Sequence, residues 1–273
     1  MDNRDNMKNL QIVFIGGGNM AEALIAGLIR SGHPQESLTV TDIRQDRLES
    51  LKQDYGVEIN TSNTVAVGQA DVVVMAVKPQ MMKTAVSGLG ASLKQGATLI
   101  SIAAGVGIDS IKTYLGHDDV AVVRVMPNTP ALVGAGMSVL FTTADALHRE
   151  RSEYVLGASG ETAWVDREDL LHAVTAVSGS GPAYFFLLAE VLQATGVKLG
   201  LPEELAEKLA SQTAAGAGKM LAESGRKAED LRHQVTSPGG TTQAALDAMY
   251  EHGLPGAVRA GVIAASKRSK ELK

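Results

Sequence analysis

The chain changes character once, near residue 166, and that change limits its fold more than any other feature. Before it, short β-branched runs alternate with helical patterns. Gln11–Ile15, Leu38–Asp42, Asp71–Val77, Ala97–Ile102, Val120–Val125 and Met137–Phe141 read as strands. Their apolar character is almost unbroken, which predicts burial on both faces, as in a parallel sheet. Between the first two, Met20, Leu24 and Leu28 form an i, i+4 row with Ala21, Ile25 and Ile29 beside it. Asn19–Arg30 therefore reads as an amphipathic helix. Strand, helix, strand at this spacing is a βαβ unit and predicts a doubly wound α/β domain over residues 1–166.

After Asp166 the strand signals stop. Glu168–Val177, Pro182–Val197, Pro202–Glu223, Ala228–Val235, Thr241–His252 and Leu254–Lys270 read as helices, which predicts an all-helical domain over residues 167–273. Pro182 and Pro202 suit opening turns, and Gly196, Gly200, Gly225 and Gly253 suit helix ends. The helix that opens PAYFFLLAEVL is apolar nearly all round and must be enclosed on several sides. Six helices in this length do not supply that enclosure alone, so an obligate dimer through this domain is expected.

Composition narrows the function. With Lys+Arg 25 against Asp+Glu 30, the formal charge is −5, a poor match to a nucleic-acid or acidic-membrane binder. Aromatics at 4% also argue against base-stacking platforms. Cysteine is absent, which excludes disulfide scaffolds, thiolate metal sites and a cysteine nucleophile, and fits a reducing compartment. The start MDNRDNMKNL reads as a polar, mobile tail rather than a secretory signal. Tyr184–Leu192, interrupted by Glu190, is far short of a membrane span. A cytoplasmic protein is expected. The six histidines show no metal-ligand spacing and read as surface or capping residues; no metal site is expected.

Gly16, Gly18 and Ala21 fit G-x-G-x-x-A in a turn that follows a strand and opens a helix. Gly16 permits the tight turn, Gly18 lets a pyrophosphate approach the backbone, and Ala21 keeps helix and strand close. The helix start adds N–H donors and a positive dipole end. At the end of the second strand, Asp42 would bond a ribose 2′-OH and favour NAD, whereas Arg44 would meet a 2′-phosphate and favour NADP. Both also read as plain loop charges. Lys78-Pro79, Ala103-Ala104-Gly105 and Met126–Pro130 each follow a strand, at the edge where open sheets bind ligands, although turn chemistry explains them equally well. Thr236–Thr242 (TSPGGTT) precedes a helix. Its glycines, Ser237, Thr241 and Thr242 suit a small carboxylate, and an ordinary N-cap is the alternative.

In this order, FIGGGNMAEAL, AVKPQ, SIAAGV, MPNTPALVGAG, AVSGSGPAYFF, VKLGLP and VTSPGGTTQAAL resemble the Δ1-pyrroline-5-carboxylate reductase family from Gln11 to Leu272. The resemblance implies a Rossmann domain and a helical dimerisation domain with interlaced helices, in a homodimer that many members assemble into decamers of five dimers. It implies reduction of 1-pyrroline-5-carboxylate to L-proline, the last step of proline biosynthesis, with NADP(H) or NAD(H). The implied cofactor residues are Gly16, Gly17, Gly18, Asn19, Met20, Ala21, Asp42, Ile43, Arg44, Asn63, Ala76, Val77, Lys78, Pro79, Ala103 and Ala104. The implied substrate residues are Ser237, Gly240, Thr241 and Thr242, with Thr242 bonding the ring nitrogen as the catalytic group. Many NADPH-preferring bacterial members carry Asn-Arg where this chain has Asp42-Ile43, which argues against a strong NADP preference.

This chemistry suits the residue inventory. A protonated cyclic imine is already electrophilic, so alignment against a nicotinamide does most of the work and no metal or strong base is needed. With the cofactor on one domain and the substrate loop on the other, reaction in an interdomain cleft is expected. Two other readings stand beside this one. A 3-hydroxyacid dehydrogenase of the same plan would need a lysine acid/base, for which Lys219 is the candidate. A non-catalytic dinucleotide sensor would not need the TSPGGTT turn.

Overall fold

The structure, a computed structural model, describes residues 7–272. Of the starting tail, residues 1–6 lie outside the described residues. Met7 and Leu10 are buried against the core, so this part of the expected tail is packed rather than mobile.

Eight strands form one sheet: β1 (Ile12–Ile15), β2 (Leu38–Thr41), β3 (Glu58–Asn60), β4 (Val72–Met75), β5 (Thr98–Ser101), β6 (Ala121–Met126), β7 (Gly136–Phe141) and β8 (Gly160–Trp164), in the order β3-β2-β1-β4-β5-β6-β7-β8. The helices between them are α1 (Asn19–Arg30), α2 (Gln45–Tyr55), α3 (Asn63–Ala66), α4 (Met82–Val86), α5 (Ile108–Leu115) and α6 (Ala146–Gly157). Alternation along β1 sends Ile12 and Phe14 into one core with α1 and α2, and Val13 and Ile15 into a second core with α4 and α5. Burial on both faces accounts for the unbroken apolar runs. The expected all-parallel sheet is corrected at β7, which runs antiparallel to β6, while β8 pairs parallel to β7.

Register places the site. Ile15 pairs with Thr41 on one side and Met75 on the other, and Met75 pairs with Ser101. The carboxyl ends of β1, β2, β4 and β5 therefore finish level. The strand order reverses between β1 and β4, and that switch point is where open α/β sheets take their ligand.

Helices follow β8: α7 (Leu171–Val174), a π turn at Thr175–Gly179, α8 (Gly181–Lys198), α9 (Glu203–Glu223), α10 (Ala228–Gln234), α11 (Thr241–Glu251) and α12 (Leu254–Glu271). The described residues divide into two compact units. One holds the residues up to Gly179 together with those from Ala265 onward; the other is Ser180–Ala264. This is the α/β-plus-helical plan expected. Gly196 is not a helix end: it lies inside α8, where a Cβ would stand 3.3 Å from the Ala206 Cβ, so it lets α8 and α9 approach. Helical structure of one kind or another runs from Glu168 to Lys198, long and apolar enough by length and composition to cross a membrane. Its apolar side chains are open within this chain: Phe185, Phe186, Leu187 and Val191 are all more than half exposed.

Candidate active site

The β1–α1 turn is braced from three sides. Gly16 N–H donates to the Thr41 carbonyl (2.7 Å), and the Ile15 carbonyl accepts from Ala76 N–H (2.8 Å). Gly16 sits at φ +100°, and a Cβ there would lie 2.7 Å from the Ala76 carbonyl oxygen, so both conformation and space demand glycine. Gly17 N–H donates to Asp42 Oδ2 (2.8 Å), and Arg47 Nε donates to the Gly17 carbonyl (2.6 Å). Both ends of the Gly17 residue are thus held by side chains.

Gly18 differs from its neighbours. It is the N-cap of α1 in extended conformation, and a Cβ built on it meets nothing within 4 Å. Open space beside the free N–H groups of a helix's first turn fits a pyrophosphate group. Ala21, wholly buried, completes the turn; Asn19 is exposed and Met20 half-buried.

Asp42 is fixed more firmly than a loop charge would be. Its Oδ1 accepts from Arg44 N–H (2.9 Å) and Arg44 Nε (3.3 Å), and its side chain is 10% exposed. Burial alone would raise its carboxyl pKa. The Gly17 and Arg44 N–H donors and the Arg44 guanidinium outweigh burial and hold it below the ordinary carboxylate range. Ile43 is 93% exposed. Arg47 also pairs with Glu22, which accepts from Tyr55 Oη (3.0 Å). The Arg47 hydrogen bond keeps Glu22 below its usual pKa, against the opposing effect of burial. Sequence reasoning missed Arg47, because it belongs to no motif and its partners lie 25 and 30 positions away.

The remaining candidates of the α/β unit extend the same edge. Asn63 opens α3, capped by Ser62, and its Nδ2 approaches the Ala85 carbonyl at 3.5 Å. Ala76 and Val77 leave β4, and exposed Lys78 precedes Pro79, which opens a 3₁₀ turn. Ala103 is buried and Ala104 half-buried beyond β5. The Met126–Pro130 loop has a structural use. Asn128 Oδ1 accepts from Met137 N–H (2.8 Å) and its Nδ2 donates to the Ser178 carbonyl (3.1 Å), so this amide clasps the chain.

In the helical unit, the turn at 236–240 ends on Gly240, the extended N-cap of α11, whose N–H donates to the Ser237 carbonyl (3.0 Å). No side chain caps this helix, so the N-cap alternative for its hydroxyls is not realised. Ser237 and Thr241 are exposed and Thr242 half-buried, with their hydroxyls uncommitted among the described residues. Lys219 is an exposed surface cation 3.8 Å from Glu223, not an enclosed acid/base.

Three histidines correct the surface reading. His33, His148 and His172 are buried, with Nδ1 hydrogen-bonded to Tyr154 Oη (2.9 Å), Thr98 Oγ1 (2.8 Å) and Ser269 Oγ (2.9 Å). Each is a core histidine with its Nδ1 held by a hydroxyl, and the buried Nε2 of His33 has no hydrogen-bond partner among the described residues. Among the described residues no group of three His, Asp or Glu side chains is placed to hold a metal.

A braced glycine turn at a switch point, joined to a helical unit, defines a nicotinamide-dependent oxidoreductase. Residues 11–105 match the family described as NADP oxidoreductase coenzyme F420-dependent, and residues 168–272 match the family described as pyrroline-5-carboxylate reductase dimerisation. The pyrroline-5-carboxylate reductase of Pseudomonas aeruginosa is 43% identical over 97% of this chain and 98% of its own length. The solved Coxiella burnetii pyrroline-5-carboxylate reductase is 40% identical, with a TM-score of 0.92 over 97% of this chain and 98% of that one. A Plasmodium falciparum pyrroline carboxylate reductase, solved with NADP bound, is 28% identical, with a TM-score of 0.85 over 97% of this chain and 99% of that one. The chain belongs to the pyrroline-5-carboxylate reductase family.

Proposed function

We propose that this protein reduces 1-pyrroline-5-carboxylate to L-proline with NAD(P)H, as the last step of proline biosynthesis. The observation that carries this is the match to a pyrroline-5-carboxylate reductase over 97% of the chain.

The β1–α1 turn, Gly16 to Ala21, receives the cofactor pyrophosphate on backbone N–H groups and the dipole of α1. Asp42, Ile43, Arg44 and Asn63 flank the adenosine half. Ala76, Val77, Lys78, Pro79, Ala103 and Ala104 line the edge toward the nicotinamide half. When bound, the nicotinamide supplies the hydride that the imine carbon accepts. Ser237 and the Gly239-Gly240 backbone take the substrate carboxylate, with the first turn of α11 adding its N–H groups. The Thr242 hydroxyl orients the ring nitrogen and supports its proton, a small contribution beside alignment. Thr241 stands next to it on the substrate turn.

In this reading residues 1–166 carry the cofactor, and residues 167–273 carry the substrate turn and the dimer interface. A homodimer covers the exposed apolar face of α8, and five such dimers form a decamer. A covered α8 also explains an apolar helix in a cytoplasmic protein without a membrane. The test is consumption of NADH or NADPH by purified protein with and without 1-pyrroline-5-carboxylate. Substrate-dependent oxidation with production of proline is expected; none with either cofactor overturns the assignment.

A further inference from the structure

We propose that Asp42 makes this protein select NADH over NADPH, by holding a fixed carboxylate where the adenosine 2′ position must lie. The inference rests on the β1–α1 turn being the dinucleotide site. An acidic side chain at the end of the second strand is placed to meet the ribose of a dinucleotide bound there. Three observations give that placement a direction.

The first is lone-pair accounting. Oδ1 accepts two hydrogen bonds from Arg44, and Oδ2 accepts one, from Gly17 N–H. Oδ2 therefore retains acceptor capacity for a ribose hydroxyl. A 2′-phosphate brings no donor at neutral pH and places negative charge beside this oxygen instead.

The second is fixity. Two of the three bonds to Asp42 come from backbone N–H groups, one of them in the pyrophosphate turn itself. The carboxylate cannot swing aside for a phosphate without releasing Gly17. The same donors favour its ionised form.

The third is the fate of the nearby cations. A 2′-phosphate needs a partner, and Arg44 and Arg47 are the arginines on this stretch. Arg47 is committed to the Gly17 carbonyl and Glu22. Arg44 is folded back onto Asp42 through Nε, with its side chain 55% exposed. A phosphate that recruits Arg44 must either lie against the Asp42 carboxylate or pull Arg44 away from it. The side chain of Ile43, almost fully exposed between them in sequence, offers no donor.

The test is the dissociation constant of NADH and of NADPH, measured by nicotinamide fluorescence on the full chain at one low ionic strength. NADH is expected to bind about tenfold tighter or more, given charge repulsion in a partly buried site. Equal affinities, or tighter NADPH, overturn the inference but leave the site reading intact. Binding of neither overturns both. Asp42→Asn removes the charge and should close the gap by about tenfold. The ratio of the two constants reports this even if the turn loosens and both affinities fall; an unchanged ratio overturns the role of Asp42. Arg44→Ala should weaken NADPH by no more than about threefold. A larger loss confined to NADPH would assign the 2′-phosphate to Arg44 and overturn the proposal.

Discussion

Glu168 Oε1 accepts a hydrogen bond from Arg124 Nη1 at 2.8 Å and another from Ile108 N–H at 2.9 Å. One carboxylate oxygen thereby neutralises a nearly buried arginine on β6 and caps the first turn of α5. Glu168→Ala would leave Arg124, 8% exposed, without its counter-charge. The expected loss is about 1–3 kcal/mol, below the cost at a fully buried pair because the Glu168 side chain is 31% exposed. Urea unfolding of the two proteins measures it; equal midpoints would show that solvent already screens the pair.

Gly16 and Gly18 should fail in opposite ways. Gly16→Ala forces a Cβ into the Ala76 carbonyl at a positive φ and should cost about 2 kcal/mol or more of stability. Gly18→Val places its Cβ in open space, so folding should change by about 1 kcal/mol or less while cofactor binding is abolished. Thermal unfolding beside cofactor titration separates the two. Retained affinity in Gly18→Val would mean that the turn is structural only.

Thr242→Ala should lower kcat by about 10–100-fold while leaving nicotinamide cofactor affinity near normal. Steady-state kinetics with a parallel binding titration reads both. Unchanged turnover would remove Thr242 from the reacting set.

Acid should destabilise the fold through two core histidines. Burial lowers the pKa of His33, and lowers that of His148 against the opposing pull of Asp145. The unfolded chain therefore takes up protons near the ordinary histidine value of about 6.5 while the folded chain does not. Stability present above that value is lost as pH falls below it, toward the depressed folded values. Urea midpoints between about pH 7.5 and pH 5.5 should fall, and the double variant His33→Asn, His148→Asn should flatten the slope. The depressed carboxylates Asp42 and Glu22 act only at lower pH, since their unfolded values lie near 4. A flat wild-type profile in this window would refute the histidine account.

Phe185→Glu with Phe186→Glu should convert the dimer to monomer, because each ring is more than 60% exposed within one chain. Sedimentation of the variant at the wild-type concentration decides it. A dimer that persists would place the interface elsewhere.

Much of this was legible because local chemistry repeats at short range. The turn from Gly16 to Ala21 announces itself, and α1 spans the Asn19–Arg30 expected from its apolar row. What escaped depends on distant partners or on edges. β3 is three residues, Glu-Ile-Asn, with no apolar run to mark it. β8 (GETAW) is an edge strand left half-open, so it lacks the buried signature of its neighbours. The direction of β7 is invisible in composition, since Met137–Phe141 is as apolar as a parallel strand. His33 and His172 look like surface residues until hydroxyls 121 and 97 positions away come to meet them. Arg47 acquires its meaning only when α2 folds against the glycine turn.

The α/β unit is discontinuous in the chain. Ser269 closes the hydrogen bond to His172, and a Cβ on Gly105 would stand 2.7 Å from the Leu272 carbonyl, so residues 265–272 are part of its wall. A ribosome makes every residue of the second unit before it makes these. The α/β unit consequently waits for the helical unit during synthesis, and a fragment cut at Gly179 would leave the ribosome with the Gly105 loop and His172 uncovered.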